Sequence, residues 1–453
     1  MTQDLLTDSP IADRAFNRTL ERRDFLWLLG ACAGSAAITG CAIDPVSGGN
    51  AFIVMSEQDE IAVDKQHAPM QFSADYGVSQ DKALNTYVSS VGKGLGSKTH
   101  RAQMPYNFQV VNANYVNAYA FPGGSIAVTR GILLELDSED ELAALLGHEL
   151  GHVNARHAAK QQSKGMLAQL GVAAVSIAAG TQGGIAGDLA SNLGGLASGA
   201  LLSSYSRDNE READALGIEY LFRGGYNPDG MNDLMAMLND QHERQPSALE
   251  VMFSTHPMSS ERVANVSRDV KGPNYQPATK KPKQVERYKD SIAKLRTLEP
   301  SIKLQQQAEK QAGQKDLSGA VTSLKSALKK TPEDYTALVL TGRLLLMQEQ
   351  AKEARPYLDK ATKVYPQEAQ AHQLLGVASL QSKDPARAFE AFQAYSKIMP
   401  ADPSSNFYMG FAQENMQQKP KAADYYVKFL NQVQQGQMAA HAYTRLQQWG
   451  YVK

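Results

Sequence analysis

Cysteine is nearly absent: the chain of 453 residues holds two, Cys32 and Cys41. So sparse a count excludes a disulfide scaffold. Net charge is missing too. There are 46 Lys and Arg against 47 Asp and Glu, which leaves −1. No basic cluster interleaved with aromatics occurs, which excludes nucleic acid as a partner. No apolar run reaches the ~20 residues of a membrane-spanning helix. What is present is the composition of a folded globular protein, 43% hydrophobic and 21% charged. The length predicts two or three domains.

The first 40 residues read as a leader. Arg22-Arg23 precede an apolar run from Phe25 to Gly40 that is padded with Ala, Gly and Ser. That is the build of a signal peptide. The stretch RRDFL resembles a twin-arginine export signal. Ile38-Thr39-Gly40-Cys41 resembles a lipobox, which makes Cys41 the lipidation site and leaves the mature chain no free thiol. Ala42, rather than Asp, after Cys41 favours the outer membrane. The expected location is therefore the periplasm, lipid-anchored to a membrane. Residues 41–60 read as lipid anchor and tether.

From Ser79 to Leu95 apolar residues recur at helical spacing. Alternation then predicts short strands near 106–112, 116–120 and 125–129. Ser138 with Glu141 predicts a capping box that opens a helix. Residues 165–206, rich in Gly and Ala, read as mobile amphipathic helices and loops over a cleft. A further helix runs to the stop at Gly224-Gly225, and helices continue to about residue 270. Residues 272–284 read as a linker rich in Pro and Lys. Beyond them a period of 34 appears in Pro332, Pro366 and Pro400 and in Gly342, Gly376 and Gly410. Ala320, Ala354, Ala388 and Ala422 share it, each followed four residues on by Leu324, Leu358, Phe392 or Tyr426. This resembles the tetratricopeptide repeat, two antiparallel helices per 34 residues, over about 301–433, with a capping helix after it.

The chemistry lies in ELAALLGHELGH, residues 141–152. On a helix each residue turns by ~100°, so His148 and His152 sit one above the other with Glu149 at the edge of their face. Two imidazoles so placed can share one Zn²⁺. Leu145, Leu146, Leu150 and Val153 flank the pair, and Gly147 and Gly151 admit a second element closely. His157 falls about 180° from His148 on the same helix and reads as a surface residue. A catalytic zinc needs a third protein ligand and one open position for water. Glu210 and Asp214, one turn apart, supply it: Glu210 as ligand, Asp214 as hydrogen-bond partner to the far nitrogen of a ligand histidine. Glu212 is the competing ligand, but it points about 200° from Glu210, towards solvent. Glu149 is then placed to take a proton from water and pass it to the leaving amine.

The order Asn117-Ala118-Tyr119-Ala120, HELGH, EREAD at 210–214, and Thr255-His256-Pro257 with Arg262 resembles the HtpX-like and CAAX-prenyl-protease-like zinc metallopeptidases. With the repeats, the resemblance covers residues 55 to 435. It implies one Zn²⁺ per chain, ligands His148, His152 and Glu210, and Glu149 as base. It places His256 at the metal, either as a latch in the fourth position or as an aid to the oxyanion. Arg262 would brace the site or the oxyanion. Asn117 with Ala118, Tyr119 and Ala120 would form an edge strand pairing with extended substrate. The implied clients are unfolded or misfolded envelope proteins such as outer-membrane barrel precursors, with the repeats binding them or a barrel-assembly machine.

The predicted fold is α+β and mostly helical: a zincin-like metalloprotease domain with a small sheet, then an all-α solenoid. The expected divisions are 1–40 signal peptide, 41–60 tether, 61–271 peptidase, 272–300 linker and helix, and 301–453 repeats. Two rival readings stand beside the envelope endopeptidase. One is a latched or inactive protease that acts as an adaptor or chaperone through its repeats. The other is a membrane-embedded peptidase with residues 165–202 in the bilayer.

Overall fold

The computed structural model describes residues 41–172, 205–244 and 246–452. The leader, most of the Gly- and Ala-rich stretch and its expected cleft cover lie outside the described residues. So does most of the segment of the membrane-embedded reading. Among the described residues no helix is long and apolar enough to cross a membrane.

The expected tether is folded. β1 (Cys41–Ile43) and β2 (Asn50–Phe52) form an antiparallel hairpin with Ala42 opposite Ala51. Its turn is closed by Asp44, whose Oδ1 accepts from Val46 N and Ser47 N at 2.9 Å each, the local bonding that lets Asp replace a backbone turn. A capping box of Ser56 and Asp59 then opens α1 (Glu57–Ala74). Glu60 of α1 is buried and held by Arg101 at 2.7 Å and Arg156 at 3.0 Å.

Asp81 caps α2 (Lys82–Gly96), which buries Leu84, Val88, Val91 and Leu95. The sheet follows as β3 (Asn107–Val111), β4 (Ala118–Ala120) and β5 (Ser125–Thr129), close to the expected ranges. β5 is central, parallel to β3 and antiparallel to β4. Thr129 caps α3 (Arg130–Glu135). Ser138 caps α4 (Glu139–Asn154), every residue of which is buried. The reciprocal bond comes from Asp137 N, which donates to Glu141 Oε2 at 3.0 Å, one residue before the expected cap nitrogen. The helical layer is completed by α5 (His157–Val172), α6 (Arg207–Gly224), α7 (Gly230–Arg244), α8 (Pro246–Thr255) and α9 (Ser260–Val270).

Residues 272–284 are strapped down rather than free. They contain a 3-10 turn, Gln276–Lys280. Asn227 Nδ2 donates to Lys281 O at 2.7 Å and Gln284 N donates to Asp140 Oδ2 at 2.6 Å. The expected division at residue 300 falls inside one helix, α10 (Val285–Gly313). Its first half buries Tyr288, Ile292 and Leu295 in the core around α4, while Ala308 in its second half joins the core of the repeats.

The repeats are α11 (Leu317–Lys330), α12 (Tyr335–Met347), α13 (Ala351–Val364), α14 (Ala369–Gln381), α15 (Pro385–Ile398), α16 (Ser404–Asn415), α17 (Lys419–Leu430) and the capping α18 (Gln437–Gln448). The periodic residues meet in pairs. A Cβ on Gly342, Gly376 or Gly410 would strike Leu358, Phe392 or Tyr426, at 2.5, 2.3 and 2.7 Å. Lys315, Glu349, Lys383 and Gln417, also 34 apart, all turn at positive φ, at 66°, 60°, 62° and 61°.

The solenoid is not a separate body. Phe72, Tyr76, Tyr119 and Phe121 share one core with Leu338 and Leu374. Arg130 pairs with Asp334 at 2.8 Å and donates to Gln305 at 2.8 Å. Ser73 and Tyr335 both donate to the buried carboxylate of Glu368. Tyr119 of β4 donates to Asp75 Oδ2 at 2.5 Å.

Candidate metal centre

The site is made by two helices in close approach. A Cβ on Gly151 would lie 2.9 Å from the Ala213 backbone, and one on Gly147 would lie 3.2 Å from Gly217 O. Only glycine lets α4 and α6 touch here. Ser206 and Asn209 form the capping box that starts α6, and Gly225, at φ 84°, ends it. This register sets Glu210 and Asp214 against His148 and His152.

A tetrahedral Zn²⁺ with ligand bonds of about 2.0–2.1 Å requires ligand atoms about 3.3 Å apart. Nε2 of His148 and Nε2 of His152 are 3.1 Å apart. Glu210 presents Oε1 to His152 Nε2 at 3.3 Å and Oε2 to His148 Nε2 at 3.6 Å. His256, one residue past α8, brings Nδ1 to 3.1 Å from Glu210 Oε1 and 3.4 Å from His148 Nε2. The four ligand atoms lie within 4.8 Å of one another and all four residues are buried. The donor set, two imidazoles and a carboxylate with a third imidazole beside them, is one that could hold zinc.

Glu149 is buried beside them, and neither of its carboxylate oxygens has a hydrogen-bond partner. His256 Nε2 lies 3.8 Å away. Burial pushes the Glu149 carboxyl up, against the opposing pull of His256 and His148. Burial acts on Glu210 in the same sense. There, however, the neighbouring His256 and His152 prevail and hold the carboxyl well below its usual range.

Asp214 Oδ1 is 2.9 Å from His148 Nδ1. Arg262, at the start of α9, donates from Nε and Nη2 to Asp214, both at 2.8 Å. Its Nη1 reaches Glu210 Oε2 at 2.6 Å and Pro257 O at 3.0 Å. The fork of donors is therefore directed at the two carboxylates and a carbonyl.

Asn117 and Ala118, Tyr119 and Ala120 are buried. β4 is an edge strand, and among the described residues no strand pairs with its outer side. A small cleft lined by Ala120, Phe121, Pro122, His152, Arg156 and Tyr205 joins that edge to the histidines. Tyr205, which sequence reasoning missed, stacks on His152 with ring centroids 3.9 Å apart. Cys41 sits in β1, far along the chain from this centre.

His157 is a correction. It is buried, not on the surface, with Nδ1 2.9 Å from His152 Nδ1. α4 ends before Arg156, whose φ of 55° breaks the helical phase. The rotation count from His148 therefore fails beyond that point. Glu212 is partly exposed to solvent and meets His157 Nε2 at 3.1 Å, a contact the sequence did not suggest.

Residues 82–270 match the model of peptidase family M48, and residues 311–377 match the tetratricopeptide repeat. The chain is 32% identical over 227 residues to a beta-barrel assembly-enhancing protease of Yersinia pestis, covering 49% of this chain and 46% of that protein. It is 34% identical over 186 residues to metalloprotease LoiP of Escherichia coli (strain K12), covering 41% and 68%. It is 30% identical over 250 residues to metalloprotease YcaL of the same strain, covering 53% and 94%. The chain thus spans less than half the length of the first of these relatives.

Proposed function

The chain belongs to peptidase family M48, and on that premise we propose a zinc-dependent endopeptidase of the bacterial cell envelope that cuts unfolded or stalled proteins. The observation that carries the reading is a buried set of ligand atoms within 4.8 Å of one another, with Glu149 beside it making no hydrogen bond. His148, His152 and Glu210 hold the metal. Bound there, zinc supplies Lewis-acid polarisation of the scissile carbonyl and of water. Glu149 accepts the proton of the attacking water and returns it to the leaving amine. Asp214 and Arg262 keep the ligands oriented. The edge of β4, from Asn117 to Ala120, pairs with the client's backbone, which selects extended segments without reading their sequence.

The peptidase unit, residues 61–271, does the cutting. The repeats, residues 301–453, bind clients or a barrel-assembly partner, a role supported by similarity to the beta-barrel assembly-enhancing protease of Yersinia pestis. Cys41 as a lipid anchor rests on the lipobox pattern. The test is cleavage of casein by the zinc-loaded full chain. Chelation is expected to stop cleavage and added Zn²⁺ to restore it, with a tightly folded protein left intact. Cleavage insensitive to chelation would remove the metallopeptidase.

His256 is a latch in this reading, because its Nδ1 stands at ligand spacing from both Glu210 and His148. His256→Ala is expected to raise casein cleavage severalfold at equal zinc content. A fall in rate would instead make His256 an oxyanion partner.

A further inference from the structure

Each α4 histidine turns Nε2 to the ligand cluster and keeps Nδ1 for something else. For His148 that is the carboxylate of Asp214. For His152 it is another imidazole, His157, and His157 Nε2 in turn meets Glu212 Oε2. Burial favours the neutral form of both imidazoles, and for neutral rings the protons in this row have one consistent arrangement. A carboxylate only accepts, and a neutral imidazole donates from one nitrogen and accepts at the other. His157 therefore donates from Nε2 to Glu212 and accepts at Nδ1. His152 must donate from Nδ1, which leaves the lone pair of its Nε2 directed at the metal position.

We propose that Glu212 and His157 form a relay that fixes the tautomer and ring orientation of His152 as a metal ligand. The proposal rests on the zinc reading above. Helix geometry explains why two residues are needed. Glu210 and Glu212 point about 200° apart on α6, so a carboxylate two residues from the ligand cannot reach His152 directly. The break at Arg156 folds His157 back under His152 and spans the gap. The side chain of His157 is 0% exposed and that of Glu212 is 37% exposed, so the row runs from the metal position to the solvent edge. His157 touches no substrate; it is a positioning residue.

The experiment is competition for Zn²⁺ between a chromogenic chelator and the full chain as wild type, His157→Phe and His157→Asn. Phe keeps a ring but accepts nothing. Asn loses the ring but sets its Oδ1 near the place of Nδ1, where it can accept from His152. Relay action predicts that Phe weakens zinc binding by about 10–100-fold and that Asn recovers most of it. Nitrogen-15 NMR of the wild-type apo chain should read His152 as the Nδ1–H tautomer. A merely space-filling His157 reverses the order, with Phe tolerated better than Asn, and that result overturns the relay. So does wild-type affinity in His157→Phe. A wild type that binds no Zn²⁺ at all overturns the metal reading itself, a failure distinct from the other two.

Discussion

Glu149→Gln is expected to slow peptide cleavage by about 10²–10⁴-fold while leaving zinc content unchanged. Glutamine has the size of glutamate but cannot take a proton. Its amide introduces no charge, so the ligand geometry on the neighbouring positions should survive. The argument turns on where the carboxylate lies. It belongs to the same turn as His148, yet it makes no hydrogen bond and is fully enclosed. An unpaired buried carboxylate costs stability unless something else uses it. On the proposed reading, proton transfer is the use to which this carboxylate is put. The check is kcat/KM on an unfolded protein together with zinc stoichiometry by elemental analysis. Equal rates in the two proteins would remove Glu149 as the base. Lost zinc would make it a ligand.

The second large effect is expected at Arg262. Its guanidinium sits among Asp214, Glu210 and Pro257 O with almost no solvent contact. Arg262→Leu leaves two buried carboxylates without their cation. Removing one partner of a buried ion pair costs about 3–5 kcal/mol. The asymmetry between the two carboxylates adds detail. Burial pushes the Asp214 carboxyl up, but Arg262 and His148 hold it below the usual range. Without Arg262, Asp214 is the group expected to take up a proton and to release His148. Zinc affinity should therefore fall along with the melting temperature of the apo chain. Arg262→Lys should recover little of either, because a point charge cannot fork across Asp214 while also meeting Glu210. An apo chain of unchanged melting temperature would refute the brace.

The sequence was most legible where one periodicity ran unbroken. His148, Glu149 and His152 lie within a single capped helix, and Glu210 and Asp214 within another, so turn-counting placed them on the correct faces. The repeats were legible because small and large residues recur together and meet in space, as Gly376 and Phe392 do. Reading failed wherever the backbone changed phase without a residue to announce it. Arg156 is not glycine, yet it adopts a left-handed conformation, and His157 was lost with it. Lys315, Glu349, Lys383 and Gln417 do the same at alternate turns of the solenoid. The hairpin at 41–52 is too short to alternate visibly, and the strap at 272–284 is held by partners far away in sequence, such as Asp140 and Asn227. Tyr205 follows a Gly- and Ala-rich stretch that gave no cue to its stacking on His152.

The core shared by the sheet and the first repeats has a mechanical consequence. In a solenoid each unit leans only on its neighbours, so rigidity is inherited along the row. Here the row is welded at one end, through α10, through Asp334 to Arg130 and through Glu368 to Ser73, with Tyr119 of the sheet in the shared core. Stiffness must decline from that weld towards α18. The molecule then resembles a fishing rod: the butt is seated against the candidate metal centre's domain, and compliance grows with distance from it.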